Sequence, residues 1–311
     1  MATVLITGGT GMIGTALTNA LISKGFSVII LTRKLNPKTQ KVQNISYAEY
    51  DVDKQTIEEN AVRSADFIIH LAGANVAEKR WTKKRKKEII DSRVKTGELI
   101  VNTLRKLPNH VKAVLSSSAI GYYGADAEIP SSHSFIETEP AANDFLGNVV
   151  QQWERAIQPA SELTRLVIFR TGIVLSKEGG AYVEFKKPFR FLIATILGNG
   201  KQVISWIHID DLVRLYIEAI ENEKWNGIYN AVAPKPVNNS EMIRTIGRIT
   251  GNHFIPIHVP GIALKLVLGE LSIEVLKSAT VSSEKIQHNG FRFSYPDLAS
   301  AVKSLENTDN K

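Results

Sequence analysis

The chain has 311 residues, of which 43% are hydrophobic and 22% charged, with a formal net charge of +7. This is ordinary for a globular protein and long enough for a large unit with an appended lobe. No apolar run approaches the roughly 18 residues that span a bilayer, and the start, MATVLITGG, lacks the features of a signal peptide. Because the sequence has no cysteine, it excludes disulfides and thiol chemistry, and we expect a cytoplasmic protein without membrane contact.

Apolar runs of strand length alternate with segments of helical period in the first half of the chain. Strands rich in Val, Ile and Leu, separated by helices, require a parallel sheet covered on both faces. The sequence therefore predicts an α/β fold with a doubly wound sheet. The predicted strands are Thr3–Thr7, Ser27–Thr32, Phe67–Leu71, Lys112–Ser117 and Arg165–Arg170, and the predicted helices are Met12–Lys24, Lys84–Lys106 and Asp144–Gln158.

The pattern changes after Gly172, where paired glycines, a proline and mixed periodicity indicate an excursion away from the sheet. The stretch SWIHIDDLVRLYIEAIEN then predicts a short strand, an acidic N-cap and an amphipathic helix. We expect residues 1–175, completed by about 203–232, to form the main unit. Residues 176–202 and 233–311 are expected to form a smaller C-terminal lobe.

The stretch VLITGGTGMIGTAL places Gly8, Gly9, Gly11 and Gly14 between the first strand and the first helix. Glycines at these offsets allow a tight turn, the approach of a pyrophosphate to the backbone, and close packing of helix on strand. Free N–H groups at the helix start attract the negative charge. This loop predicts dinucleotide binding; the alternative is a merely flexible glycine turn.

The residues at the end of the second strand indicate whether the cofactor is NAD or NADP. A carboxylate there would bind the adenosine 2′-hydroxyl and repel a 2′-phosphate. This strand instead ends at Thr32, followed by Arg33 and Lys34, and Arg binds phosphate bidentately. The sequence predicts NADP(H), unless the two cations are simply solvated loop charges.

Several motifs together resemble the extended branch of the short-chain dehydrogenase/reductase superfamily: TGGTGMIG, HLAGA, LSSSAIGYYG, FRTGIVL and WIHIDDL. More narrowly, RWTKKRKKEIIDSRVKT, DFLGNVVQQWE and NAVAPKPVNNSE are similar to an epimerase-like subfamily of largely unassigned function. Its C-terminal segment of unknown function is matched by LKLVLGE and GFRFSYPDL. The resemblance covers essentially the whole chain.

The resemblance implies a Rossmann sheet carrying NADP(H), with a smaller C-terminal substrate lobe that closes over a cleft. Glu88 has a second interpretation, as a surface partner of Lys84 on the same helix face. Including the glycine loop, the implied cofactor contacts are Gly8, Thr10, Gly11, Met12, Ile13, Gly14, Thr32, Arg33, Leu71, Ala72, Gly73, Glu88, Arg93 and Val174.

The same superfamily normally uses a Tyr and, four residues later, a Lys for proton transfer, beside an orienting Ser. Matching Glu154 to the Glu that follows this pair puts Leu146 and Val150 in the two places, and neither transfers protons. Ser118 matches the orienting Ser, and Tyr122 or Tyr123 is the candidate replacement acid, with Tyr123 matching the Tyr of the superfamily's usual Tyr-Gly pair. The alternatives are a strand-end hydroxyl for Ser118 and a substrate-wall role for Tyr123.

Seven Lys or Arg residues fall within Lys79–Lys87, a run that we interpret first as a solvated helix face and second as a surface for a phosphorylated substrate. Within it, Arg80 and Trp81 are the likelier ligand-facing members. Asp210 and Asp211 are interpreted as an N-cap and dipole partner rather than as a metal site with His208. The histidines show no metal-ligand spacing, so we predict no metal.

Two functional hypotheses follow. The first is an NADP(H)-dependent oxidoreductase or nucleotide-sugar-epimerase-like enzyme acting on a small substrate, such as a phosphorylated or sugar-like one. The second is a non-catalytic NADP(H) sensor, motivated by Leu146 and Val150. Nucleic-acid binding would rest on the basic run alone and is not expected. Superfamily members commonly dimerise through the helices after the fourth and fifth strands, so a homodimer is compatible with the sequence.

Overall fold

The computed structural model describes residues 1–35, 42–251 and 253–307. The strands, in chain order, are β1 Thr3–Thr7, β2 Ser27–Thr32, β3 Ile45–Asp51, β4 Thr56–Ile57, β5 Phe67–His70, β6 Ala113–Ala119, β7 Arg165–Thr171, β8 Ile173–Leu175, β9 Ile193–Leu197, β10 Val203–Ile204, β11 Trp206–His208, β12 Gly227–Ala231, β13 Val237–Asn238 and β14 Ile255–Val259. The helices are α1 Met12–Ser23, α2 Glu59–Arg63, α3 Lys83–Lys106, α4 Phe145–Ile157, α5 Gly180–Lys186, α6 Ile209–Glu221, α7 Asn239–Ile249, α8 Gly261–Leu268, α9 Leu271–Leu276, α10 Glu284–His288 and α11 Leu298–Asn307.

The main sheet has the strand order β12-β7-β6-β5-β1-β2-β3-β4. Its strands pair in parallel except for the antiparallel contact of β3 with β4. The order reverses at β1, which lies between β2 and β5. In a doubly wound sheet this reversal creates a crevice at the carboxyl ends of the strands. The predicted α/β Rossmann fold is confirmed.

Alternation along the central strands divides the core into two layers. Val4 and Ile6 face one side, where they pack with Leu17 of α1 and Leu212 of α6. Leu5 faces the other side and packs with Ile100 of α3 and residues of α4. Successive strand side chains point to opposite faces, so an uninterrupted apolar strand requires helices on both sides.

Strands β3, β4 and β12 of the main sheet are absent from the predicted set, and the two longer ones show why. β3 reads ISYAEYD and buries only Ala48 fully, so it lacks the continuous apolar run on which the other strand predictions rest. β12 is a five-residue edge strand that includes Asn230. Both positions are set by pairing with a neighbouring strand, β2 and β7 respectively.

The C-terminal residues build a separate apolar cluster. β9 pairs in parallel with β14, and Tyr182, Trp206, Met242 and Val302 are buried together. The segment that follows Gly172 therefore contains α5 and β9 and packs with α7 and α11. The boundaries at 175, 202 and 232 stay a prediction.

Asp211 joins this C-terminal region to the main sheet. Its fully buried carboxylate accepts hydrogen bonds from the backbone N–H groups of Ser294 at 2.8 Å and Tyr295 at 2.9 Å, and from Arg214 Nη1 at 2.9 Å. The predicted acidic N-cap of α6 is wrong in detail. The cap is His208, whose Nδ1 accepts from the backbone N–H of Asp210 at 3.1 Å.

Replacing Asp211 with Asn should lower the free energy of unfolding by about 1–3 kcal/mol, because a buried donor loses its charged acceptor. Urea denaturation measures this change. Asp210→Asn is the matched control, since Asp210 is exposed and should change stability by no more than about 0.5 kcal/mol. Equal effects of the two substitutions would contradict the anchoring role of Asp211.

Candidate functional site

The turn between β1 and α1 is formed by glycines that no larger residue can replace. Gly8 has a φ of 73°, and a Cβ there would lie 2.9 Å from the backbone nitrogen of Ala72. A Cβ on Gly14 would lie 2.3 Å from the carbonyl oxygen of Gly8. The backbone is thus held against itself at both positions, which explains the glycine spacing better than flexibility does.

No side chain caps the first turn of α1. Gly11 is the N-cap residue and has no side-chain hydrogen bond to offer, so the N–H groups of the first turn, including those of Met12 and Ile13, lack a side-chain acceptor. Such N–H groups and the helix dipole favour an anion at this position. Thr10, just before the cap, is exposed.

The next strand end presents a cation. Thr32 is the last residue of β2, and its hydroxyl donates to the carbonyl of Lys34 at 3.0 Å. Arg33 is exposed, and no ion pair joins it to any acid of the described residues. It lies close enough to Tyr50 to lower the pKa of that phenol, although burial raises the pKa more. An Arg with no carboxylate partner suits a phosphate.

The segment after β5 forms the other wall. The backbone N–H of Leu71 donates to the carbonyl of Thr7 at 3.1 Å, and that of Ala72 to Thr7 Oγ1 at 3.2 Å. Arg93 of α3 donates to the carbonyl of Ala74 at 3.0 Å. A Cβ on Gly73 would lie 3.0 Å from Arg93 Cζ, so the glycine makes room for the guanidinium.

Burial, together with the nearby charge of Arg85, lowers the pKa of Arg93 to about 10. No carboxylate among the described residues forms an ion pair with it. A half-buried guanidinium without a counter-ion favours binding of an anionic group.

These three predicted groups come together because β1 lies between β2 and β5. The glycine turn, the pair Thr32 and Arg33, and the segment Leu71–Gly73 occupy adjacent strand ends at one edge of the sheet. The side chain of Met12 approaches the later excursion, since a Cβ on Gly180 would lie 3.4 Å from its sulfur. Met12 therefore meets the segment that follows β8.

Two residues that were predicted to contact the cofactor, Glu88 and Val174, have protein partners in the structure. Glu88 is exposed and pairs with Arg85 Nη1 at 2.8 Å, so its helix partner is three residues earlier rather than Lys84. Val174 lies in β8, where it pairs with Ile207 of β11. Their cofactor roles stay predictions.

Ser118 belongs to a buried charge network. Its hydroxyl donates to Glu154 Oε1 at 2.6 Å. Arg170 of β7 grips the same carboxylate with Nε and Nη2, each at 2.8 Å. The pairing gives Arg170 a raised pKa, against the opposing effect of burial. Because the single Ser118 proton points to Glu154, it is not directed at a substrate carbonyl.

Tyr123 completes this network. Its ring is fully buried, and its hydroxyl donates to Asn230 Oδ1 at 2.7 Å while accepting from Arg170 Nη1 at 3.0 Å. Burial raises the pKa of Tyr123 to about 12. A sealed phenol with both hydrogen-bonding directions occupied favours the structural interpretation over the catalytic one. Tyr122 lies on the other side of Arg170, whose Cζ is 3.4 Å from the centre of the Tyr122 ring.

Leu146 and Val150 lie in apolar surroundings. Leu146 packs beside Gly121, and it belongs with Phe145 to a cluster around Trp81 and Leu271. Val150 is buried. Neither position holds a group that exchanges protons.

His70 is held in one tautomer at the end of β5. Its Nε2 accepts from Trp153 Nε1 at 3.1 Å, so the proton resides on Nδ1, which contacts Thr7 Oγ1 at 2.9 Å. Complete burial lowers the pKa of His70 to about 4. His70 is therefore a buried core residue whose two ring nitrogens both have hydrogen-bond partners.

The basic run Lys79–Lys87 is only partly a solvated face. Arg85 and Trp81 are buried, and Arg85 pairs with Glu78 at 2.9 Å. Arg80 donates to the carbonyl of Leu266 at 2.8 Å, and Lys86 forms an ion pair with Glu270. The run thus docks against α8 and the start of α9.

Sequence reasoning did not assign the network partners Arg170 and Asn230. The available signal was the second Arg of the strand RLVIFRT, which follows four apolar residues and, if buried, requires an acid partner. Within the described residues, no cluster of three or more His, Asp or Glu side chains is arranged to hold a metal ion, and no helix is long and apolar enough to cross a bilayer.

Comparison with known proteins places the chain in a family. Residues 4–145 match the NAD dependent epimerase/dehydratase family, and residues 259–305 match a domain of unknown function. An epimerase family protein of Staphylococcus saprophyticus is 38% identical over 97% of this chain and 98% of its own length. One from Staphylococcus aureus is 36% identical over 97% and 98%.

Two solved structures are similar to this chain over almost all of its length. The human epimerase family protein SDR39U1, crystallised with NADPH, has a TM-score of 0.86 and 32% identity and covers 98% of this chain and 99% of its own. A nucleoside-diphosphate sugar epimerase from Corynebacterium glutamicum has a TM-score of 0.76 and 29% identity, covering 98% of this chain and 58% of its own.

A Rossmann sheet with a glycine turn and anion-binding groups at its carboxyl edge defines a nicotinamide dinucleotide-binding protein. The chain belongs to the epimerase family, within the extended short-chain dehydrogenases/reductases.

Acid should destabilise the fold through His70. Its folded pKa of about 4 lies below the ordinary value of 6.5, so the unfolded chain binds more protons between these values. The contribution of His70 to the free energy of unfolding is fully present above pH 6.5. It decreases as the pH drops towards 4, by up to about 3 kcal/mol. His208, also at about 4, adds a similar dependence.

Urea denaturation of the protein and of His70→Asn at pH 7 and pH 5 measures this effect. The variant should be less stable at pH 7 but should lose less between the two pH values. Exposed His288 provides the control, since His288→Asn should keep the original pH dependence. An unchanged slope in His70→Asn would show that His70 does not carry the dependence.

Proposed function

We propose that this protein binds NADP(H) and acts as an epimerase-like oxidoreductase on a small substrate, without the usual Tyr and Lys pair. The observation that carries the proposal is the grouping, at one sheet edge, of an uncapped helix start and the guanidinium of Arg33, with no carboxylate partner for that guanidinium among the described residues. Arg93 adds a second unpaired cation on the neighbouring wall. Each group favours negative charge, and together they suit a phosphorylated dinucleotide.

The backbone around Gly11, Met12 and Ile13 would hold the pyrophosphate. Thr32 and Arg33 would hold the 2′-phosphate, and Leu71–Gly73 with Arg93 would line the opposite wall. The proposed choice of NADP(H) over NAD(H) rests on Arg33 and is supported by the NADPH in the human relative.

Replacing Arg33 with Ala should weaken NADPH binding roughly ten- to hundredfold, because a charge-assisted contact to phosphate is worth about 1.5–3 kcal/mol. NADH, which lacks the 2′-phosphate, should bind with unchanged affinity. Isothermal titration calorimetry with both coenzymes measures the difference. Arg63→Ala is the control, since Arg63 pairs with Glu59 on the surface. Equal NADPH and NADH affinities in the unaltered protein would refute the preference.

The residues at the reacting end set limits on catalysis. A bound nicotinamide supplies or accepts a hydride. Proton transfer normally contributes about 10²–10⁴-fold in rate, and the Ser118 proton is committed to Glu154 while Tyr123 is sealed. We therefore propose slow hydride transfer between the nicotinamide and a carbonyl carbon, in which water would supply the proton for the resulting alkoxide oxygen and Ser118 must leave Glu154 to contact the substrate.

A second candidate function is a non-catalytic NADP(H) sensor. It is favoured by the apolar surroundings of Leu146 and Val150 and by the engagement of Ser118 and Tyr123. In this version, cofactor occupancy would alter the affinity for a partner protein.

NADPH oxidation with a panel of carbonyl compounds, including nucleotide sugars, separates the two functions. The enzyme should show slow turnover, and Ser118→Ala should reduce it by about tenfold or more while NADPH affinity is retained. Binding of NADPH without turnover of any carbonyl compound would contradict the proposed enzymatic function. Partner affinity that is equal with and without NADPH would contradict the sensor.

A further inference from the structure

An apolar face on α8 and the start of α9 is not covered by the rest of the described chain. Ile262, Leu266 and Val267 are 77%, 73% and 70% exposed, and Ile273 of α9 is 64% exposed. Leu264 faces the protein and is buried. Soluble proteins scatter exposed aliphatic residues singly, whereas a contiguous group of them marks an interaction surface.

This face has a positive border. Lys265 lies on α8 itself and is exposed. Arg80 contacts the carbonyl of Leu266, which places the basic run beside the helix. Arg80, Lys83, Lys84 and Lys265 form no ion pair with an acid of the described residues, whereas the nearby acid Glu270 is already paired with Lys86.

The lysines at the start of α3 lie where the helix dipole is unfavourable for a positive charge. Lys83 and Lys84 occupy the first turn of α3, which contains no acidic residue. Cations there face the positive end of the helix dipole, at a cost of roughly 0.3–1 kcal/mol each. An anionic surface beside them would offset this repulsion.

The shape of the apolar face on α8 favours one kind of binding partner over others. The exposed side chains project from a convex helix, and neither described cavity, of about 300 and 460 Å³, includes an α8 residue. A helix supplied by a partner would need a groove on this chain, which neither cavity provides at α8. A second copy docked by twofold symmetry would bring the cations of both copies into one interface, where like charges repel. A planar anionic surface accepts both the convex apolar helix and its cations.

We propose that α8, with Lys83, Lys84 and Lys265 beside it, docks the protein onto an anionic lipid bilayer. The helix lies in the interface, where its aliphatic side chains enter the acyl boundary and the lysines contact headgroups. Such docking requires no spanning helix. It differs from the sequence-based expectation of no membrane contact and is independent of the proposed cofactor.

Flotation of the full chain with phosphatidylcholine vesicles, with and without phosphatidylglycerol, tests the proposal. Binding should require phosphatidylglycerol and should weaken with added salt. Leu266→Ser should reduce vesicle affinity by about tenfold. Leu163→Ser is the matched control, because Leu163 is an exposed leucine of a different segment, and it should leave affinity unchanged.

The double substitution Lys83→Ala/Lys84→Ala tests the role of charge and should weaken binding to the vesicles roughly tenfold or more. Lys201→Ala/Lys303→Ala, at exposed positions elsewhere, should have a smaller effect. Ile262→Ser serves as a second apolar variant if Leu266→Ser lowers the melting temperature.

Three outcomes would overturn the proposal. One is the absence of binding to phosphatidylglycerol vesicles. Another is an equal effect of Leu266→Ser and Leu163→Ser. The third is a dimer in light scattering that Leu266→Ser converts to a monomer, since that would assign the face to a second copy.

Discussion

The buried ion pair of Arg170 with Glu154 is the interaction on which the arrangement of Ser118 and Tyr123 depends. It joins β7 to Glu154 of α4, and through Glu154 and Tyr123 it fixes Ser118 and Asn230. Burying two charges is expensive unless every remaining hydrogen-bonding group finds a partner. Here Nη1 also donates to the carbonyl of Glu137 at 3.1 Å, so the pair is compensated. The same satisfaction removes Ser118 and Tyr123 from ready use by a substrate.

The two ends of the crevice consequently differ in character. At the ends of β1 and β2, the start of α1 has no side-chain cap and Arg33 has no acid partner among the described residues, an arrangement that favours anions. The other end is aliphatic and aromatic, with Leu146 packed among Phe145, Trp81 and Leu271. This contrast explains why cofactor binding is easier to infer than the chemistry performed.

The C-terminal region is held to the preceding part of the chain by half-buried acids and a lysine as well as by apolar packing. Lys277 joins Asp144, the N-cap of α4, at 2.7 Å and Glu274 at 2.8 Å. Asp126 accepts from Ser278 and Thr280. These contacts set α9 on the starts of α3 and α4, and they leave the outer face of α8 for another surface.

The sequence by itself determined the parallel sheet, the glycine turn and the cation after β2, because each depends on local pattern: continuous apolar runs, glycine offsets and the residue that ends a strand. The resemblance to the superfamily, matched at Glu154, also located Leu146 and Val150 without coordinates. Tertiary structure decided the rest. β3 and β12 exist because a neighbour pairs with them. His208 is the cap of α6 because the helix begins at Ile209, and Asp211 instead binds the backbone of Ser294 and Tyr295. The hydrogen bond of Ser118 depends on Glu154, which Arg170 holds from 52 positions later in the chain than Ser118. Contacts between distant segments follow from how the layers pack, which no local pattern encodes.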